Sequence, residues 1–205
     1  TEGGVTTLTD SEDWLSHPGT VGRVLPHFEV FAVNDAGKRL PPGEEGLLYS
    51  RHRETKRFFS YHRDDAKTEA AYLDTHSFTL GDIGRVEADG FVYLSDRKSN
   101  VIISGGVNIY PAEIENVMLE HPNIAEVAVV GLPDERWGES IACFFRPEEN
   151  SPVEVRELHD HCRANLSPQK TPTVWRQVES FPMTGSGKVQ KFKLRDTAVA
   201  LEDKR

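Results

Sequence analysis

The chain has 205 residues, 37% of them hydrophobic and 28% charged, with a formal net charge of -9 at pH 7. That length holds one large domain or two small ones, and the balance is that of an ordinary soluble protein. The acidic excess argues against a nonspecific nucleic-acid binder, which carries a basic face. No apolar run of about 18 residues and no signal peptide are present, so no membrane span is expected.

Residues 20–96 read as short strands separated by turns. "HFEVFAV" (27–33) leads into "NDAGK", a turn rich in Asn, Asp and Gly, and "PPGEEG" (41–46) forms a second turn before "LLYS". The basic stretch "RHRETKRFFSYHR" (51–63) is followed at once by "DD" and reads as a solvated edge, not a nucleic-acid groove. "RDDAKTEAAYL" (63–73) predicts a short helix. "GRVEADGFVYLSD" (84–96) predicts a hairpin closed by a two-residue turn at Asp89-Gly90. Many short strands at this spacing predict a small β-barrel-like subdomain or bent sheet.

After residue 100 the pattern becomes mixed. "PAEIENVMLEH" (111–121) predicts a helix with Pro111 at its first position, Glu113 and Glu115 in its first turn, and Ile114, Val117 and Met118 on one face. "IAEVAVVGLP" (124–133) and "SIACFFRP" (140–147) predict paired strands. "SPVEVRELHDHCRANL" (151–166) predicts a helix opened by a Ser151/Glu154 capping box with Pro152 at its first position, and a buried stripe of Val155, Leu158, Cys162 and Leu166. "VWRQVESF" (174–181) predicts a third strand. The expected class is α+β: the barrel-like subdomain, then a C-terminal domain with a three-stranded sheet covered by helices. Cys143 and Cys162 form no C-x-x-C pair and sit among apolar neighbours; they read as core thiols, which suits a reducing, cytoplasmic compartment. The short polar stretch "DRKSN" (96–100) marks the boundary, giving domains 1–97 and 98–205 with a hinge near Ser99.

"PMTGSGKVQK" (182–191) invites a phosphate-loop reading that its spacing refuses. The G-x-x-x-x-G-K-[ST] pattern needs Gly where Pro182 stands and Ser or Thr where Val189 stands. Taken alone, the stretch is a surface turn with a solvated lysine.

Four stretches change that reading: "TEGG" (1–4), "GDIGRVEADGFVYLSDR" (81–97), "ISGGVNIYPAEIE" (103–115) and "PMTGSGK" (182–188). Together and in this order they resemble the adenylate-forming superfamily, particularly its AMP-forming acyl-CoA synthetases. The resemblance implies a ligase that uses ATP, Mg²⁺ and coenzyme A. A carboxylic acid attacks the α-phosphate of ATP, giving acyl-adenylate and pyrophosphate, and a thiol then displaces AMP. It also implies that this chain, which starts at Thr1 and not at Met, is the tail of the large domain plus the mobile C-terminal domain. The phosphate loop and most of the acyl pocket would then belong to a missing N-terminal part, leaving the fragment inactive by itself.

The resemblance assigns roles by position. Lys188 matches the lysine required for adenylation, where a mobile point charge bridges carboxylate and phosphate. Asp82 matches the carboxylate that grips the ribose hydroxyls of ATP, with a turn cap as the bland alternative. Arg97 matches a second ribose contact, or else a surface ion pair. Glu2 matches the magnesium-ligating Glu and Thr1 the neighbouring phosphate contact, both expected to be disordered at a chain end. Gly105 and Gly106 match the segment lining the pantetheine tunnel, or else a tight turn, and Trp137 resembles an aromatic near coenzyme A in some relatives. Ser99 matches the hinge, where relatives usually have Asp or Lys, and Leu80 stands where Thr or Ser is common. The lysine motif also resembles one that is reversibly acetylated in some relatives, a change that removes the charge. Two other readings stay open: an adenylation domain delivering to a carrier-protein thiol, and a noncatalytic binding module. The wording around 96–115 is common among synthetases for fatty and other bulky apolar acids.

Overall fold

The computed structural model describes the backbone of residues 2–202 and the side chains of residues 2–200. The chain divides into two compact units, Thr1–Ser99 and Asn100–Arg205.

The first unit contains β1 (Thr7–Leu8), α1 (Ser11–Ser16), β2 (Thr20–Val24), β3 (Phe28–Val33), β4 (Gly46–His52), α2 (Asp65–Ala70), β5 (Ser77–Phe78), β6 (Asp82–Val86) and β7 (Phe91–Arg97). Its strands form one antiparallel sheet in the order β1-β2-β7-β6-β4-β3, with β5 beside β4. The sheet curls into a half-barrel. Register shifts at Thr20/Gly22 and Ile83/Gly84 supply the bend, since an extra residue in one strand kinks it and increases its twist. Both shifts fall on glycines that have no room for a side chain. A Cβ on Gly22 would lie 2.2 Å from the Leu8 carbonyl oxygen, and one on Gly84 would lie 2.1 Å from that of Tyr93. Phe28, His52, Phe58, Phe59, Tyr72 and Phe78 pack ring to ring. This places Phe58 and Phe59, from the middle of the basic stretch, against the interior, while Arg51 pairs with Asp74 and Arg57 with Glu69. The β6–β7 hairpin forms as expected, but not through a two-residue turn. Gly90 N donates to Glu87 O at 2.9 Å and Glu87 N to Phe91 O at 2.9 Å. Only Gly90 has positive φ, +88°, whereas a two-residue Asn-Gly-type turn needs it at both positions.

The second unit opens with a 3-10 turn at Lys98–Asn100 that crosses the division. It continues with β8 (Ile102–Ser104), β9 (Val107–Ile109), α3 (Pro111–Leu119), β10 (Ile124–Asp134), β11 (Gly138–Pro147), α4 (Val155–Asn165), β12 (Val174–Gln177) and α5 (Lys191–Glu202). The three expected strands are joined by β8 and β9, giving five in the order β10-β11-β8-β9, with β12 parallel to β11. β11 is apolar on both faces, as a strand covered on both sides must be. Ile141, Cys143 and Phe145 face Ile114 and Met118 of α3 and Leu158 and Cys162 of α4. Ala142 and Phe144 face Leu194 and Ala198 of α5.

α4 begins three residues later than the capping box predicts. Ser151 and Pro152 lie outside it, and Glu154 takes the cap position without a side-chain hydrogen bond. Core packing overrides the local signal. Val153 packs on the core from an extended segment, and Val155, expected in the buried stripe, is 43% exposed.

Burial pushes the Cys143 thiol well above its usual range and Cys162 up to about 11. Both therefore stay protonated and inaccessible at pH 8. Neither should react with a thiol reagent in the folded chain, and both should react after unfolding. A fast native thiol would contradict the double-faced core. The β8–β9 turn gives a second test. Gly105 and Gly106 have φ of +59° and +79°, and a Cβ on Gly105 would meet the Trp137 ring at 3.0 Å, whereas Gly106 faces open space. Gly105→Ala should cost about 1–3 kcal/mol in denaturant unfolding, and Gly106→Ala less.

Candidate functional site

Asp82 opens β6 and Arg97 closes β7, and the antiparallel register makes them direct cross-strand partners. Arg97 Nε lies 2.6 Å from Asp82 Oδ1, and Arg97 Nη1 donates to the Leu80 carbonyl at 3.2 Å. The arginine thus fixes the direction of the Asp82 carboxylate, whose Oδ2 is left for further donors. Asp82 also lines a cavity of about 150 Å³ with Thr6, Ser50, Leu80 and Leu94, smaller than the roughly 300–1,000 Å³ of a ligand pocket. The hydroxyl near this strand end comes from Thr79, whose Oγ1 accepts from Gly81 N at 3.0 Å. Leu80 instead packs beside Gly3, where a Cβ would lie 2.8 Å from Leu80 Cδ1.

Glu2 is not the loose end that its position in the sequence suggests. Tyr61 donates its hydroxyl to Glu2 Oε1 at 2.7 Å. The Glu2 backbone amide first, and this hydroxyl second, hold its carboxyl below the usual carboxylate range. The same bond raises Tyr61. Thr1 lies outside the described residues. Ser99 is exposed in the 98–100 turn, the last residue of the first unit. Just before it, Lys98 N donates to Gly81 O at 2.7 Å.

In the second unit the 182–191 stretch is a tight turn closed by its own backbone. Thr184 N donates to Lys188 O at 2.8 Å, Gly187 N to Thr184 O at 3.0 Å, and Gln190 N to Pro182 O at 2.7 Å. Thr184 Oγ1 accepts from Lys188 N at 3.0 Å, and Gly187 supplies positive φ at +77°. The Lys188 side chain is exposed, and among the described residues no carboxylate pairs with it. Lys191, three residues on, is held 2.6 Å from Glu115.

Gly105, Gly106 and Trp137 come together. Gly105 N donates to Trp137 O at 2.9 Å, and the indole, 50% exposed, flanks the glycine turn. Arg136 stacks its guanidinium on that indole at 4.7 Å. The glycines are a tight turn and also leave backbone open beside an aromatic face.

Several participants were not legible as such. Tyr61, inside the basic stretch, carries no local mark of reaching Glu2 from 59 residues away. α5 went unread although Leu194 and Ala198 have the spacing of one helix face, because the surrounding residues are polar. Glu115 and Glu139, each 18% exposed, pair with Lys191 and Arg195 on that helix. Among the described residues, no group of three or more His, Cys, Asp or Glu could hold a metal ion.

Residues 113–188 match the AMP-binding enzyme C-terminal domain. The long-chain-fatty-acid–CoA ligase FadD13 of Mycobacterium tuberculosis is 36% identical over 190 residues, 93% of this chain and 37% of the relative. The o-succinylbenzoate CoA synthetase of Bacillus subtilis, solved in complex with its acyl-adenylate intermediate, superposes with a TM-score of 0.85 at 31% identity, over 95% of this chain and 39% of that one. The amide bond synthetase McbA of Marinactinospora thermotolerans superposes with a TM-score of 0.78 at 33% identity, over 87% and 36%. The chain thus spans little more than a third of the length of these relatives. With the fold, the family match and these relatives agreeing, residues 113–188 belong to the AMP-binding enzyme C-terminal domain family, and the chain as a whole is similar to a little over a third of acyl-CoA ligases.

Proposed function

We propose that this sequence forms the C-terminal part of a longer ATP-dependent acyl-CoA synthetase. That enzyme joins a carboxylic acid to AMP with release of pyrophosphate, then transfers the acyl group to the thiol of coenzyme A with release of AMP. The observation that carries the reading is the Lys188 turn, in which an exposed ammonium with no carboxylate partner follows a backbone-locked glycine turn. Of the two lysines in the stretch, Lys191 is occupied by Glu115 and only Lys188 is free to meet an anion. Adenylation brings a carboxylate to a phosphate, and an ammonium placed where negative charge builds is what such a transition state needs.

In this reading Asp82, aligned by Arg97, takes both ribose hydroxyls of ATP, because a carboxylate accepts from two donors at once. Glu2 fits Mg²⁺. It is a hard oxygen ligand held in its charged form, and Mg²⁺ is commonly bound by one or two carboxylates with substrate phosphates and water. Mg²⁺ supplies charge neutralisation on the phosphates, while Tyr61 fixes the Glu2 carboxylate that would hold it. Gly105 and Gly106 present backbone to the thin pantetheine arm beside Trp137, and Ser99 serves as the hinge between residues 1–97 and the mobile domain 98–205. The small cavity beside Asp82 supports the view that this chain does not act alone. The acid is left open, since the relatives' names point to a long-chain fatty acid in one and o-succinylbenzoate in another.

The likeness to an amide bond synthetase supports a second reading, in which adenylation is unchanged and another nucleophile replaces the coenzyme A thiol. Offering coenzyme A and amines as competing acceptors separates the two.

In the full-length enzyme carrying this sequence, Lys188→Ala should lower acid-dependent pyrophosphate exchange by about 10²–10³-fold. Thioester formation from supplied acyl-adenylate should survive. Exchange that persists in the variant would sink the role of Lys188. Asp82→Asn should raise KM for ATP roughly tenfold, about 1.4 kcal/mol, with a smaller effect on kcat; an unchanged KM would return Asp82 to a structural role.

A further inference from the structure

We propose that Glu139 is a positioning residue shared by two loops, tying the Gly105–Gly106 turn and the helix that follows Lys188 to one point. The proposal rests on the reading of those two loops given above. Glu139 is the second residue of β11. Its Oε2 accepts from Ile103 N of β8 at 2.8 Å, two residues before Gly105. Its Oε1 lies 2.9 Å from Arg195 Nη2 of α5, seven residues after Lys188. The side chain is 18% exposed, and the strand beside it makes room. A Cβ on Gly131 would lie 2.8 Å from Oε1.

The backbone on either side points the same way. Gly138 pairs with Ser104, and Trp137 O accepts from Gly105 N, so residues 137–139 run along 103–105. Glu115 provides a contrast inside the same unit. Its Oε1 accepts from Val129 N at 2.7 Å and pairs with Lys191 at 2.6 Å, so it links α5 to β10 and makes no contact with the glycine turn. Partly buried ion pairs are weak sources of stability, because desolvation offsets much of the attraction. Their value here is geometric: a misplacement of about 1 Å can cost on the order of 10²-fold in rate.

The two halves of the reaction can be measured separately in the full-length enzyme carrying this sequence. Glu139→Gln keeps an oxygen for Ile103 N and loses the charge opposite Arg195. It should lower the kcat of acid-dependent pyrophosphate exchange roughly tenfold, leaving KM and the thioester step within about twofold. Arg195→Gln should do the same, Arg195→Lys should restore most of the rate, and the double variant should be no worse than either single one, as partners in one contact behave. Glu139→Ala releases both loops and should slow both half-reactions about tenfold. Lys191→Gln should affect adenylation alone.

If Lys188→Ala abolishes exchange while every Glu139 variant matches the wild type, the proposal fails and the functional reading stands. Equal loss in both half-reactions for all variants, in step with a lowered melting temperature, would also overturn it. If Lys188→Ala itself leaves exchange intact, the functional reading fails, and amide hydrogen exchange then decides the tie. Glu139→Ala should speed exchange at Ile103, Gly105 and along α5 together. A change at only one of the two segments would refute it.

Discussion

β11 is the constraint on which the second unit depends. Its run Ile141–Phe145 is buried on both faces, with Cys143 and Ala142 fully enclosed. A strand so placed cannot sit at the surface of a two-layer fold; it needs helices on each side. α3 and α4 cover one face, and α5 covers the other. The chain reaches α5 only through the 182–190 turn, so the packing of Leu194 and Ala198 fixes where that turn must end. The position of Lys188 is in this sense an outcome of core packing, with the turn's own hydrogen bonds setting its shape.

Electrostatics then sorts the cations of the unit into two kinds. Lys170 is held by Glu113, Lys191 by Glu115 and Arg195 by Glu139. Pairs at this degree of exposure contribute only about 0–1 kcal/mol to stability, but each fixes the direction of a long side chain. Lys188 lacks such a partner among the described residues. A paired ammonium would have to break its contact before meeting a developing negative charge; an unpaired one gives up only water. The same logic separates Arg97 from Lys188. Arg97 is engaged by Asp82 and Leu80 and would have to loosen those contacts to meet an anion.

Sequence patterns with a period carried most of the fold. β10 and β11 were legible from their apolar runs, and α3 from Pro111 with the Ile114 and Met118 spacing. Signals that act at one residue were weaker. The Ser151/Glu154 capping box lost to an extended segment in which the partly buried Val153 packs against the core. Asp89-Gly90 marked the hairpin but not its loop length, since Asp89 stays at negative φ and uses Oδ1 to accept from Phe91 N at 3.3 Å. β8 and β9, three residues each, fall below the length at which alternation is readable. At the candidate site, Lys188, Asp82 and the glycines were found through motif resemblance. Tyr61 and Glu139 were not, because a contact between distant segments leaves no local periodicity.

The relatives differ in the acids and products their names describe, yet each matches nearly the whole chain at similar identity. That pattern suits a segment built around what the reactions share. In the proposed reading, the groups that would meet the ribose diol, phosphate and carboxylate common to every adenylation are generic: one carboxylate, one unpaired ammonium, and glycines that expose backbone. None requires knowledge of the acyl group. A fold that fixes Asp82 by its cross-strand pairing with Arg97, and the Lys188 and glycine turns by the packing around β11, can stay the same while the surfaces that choose the acid and the acceptor change.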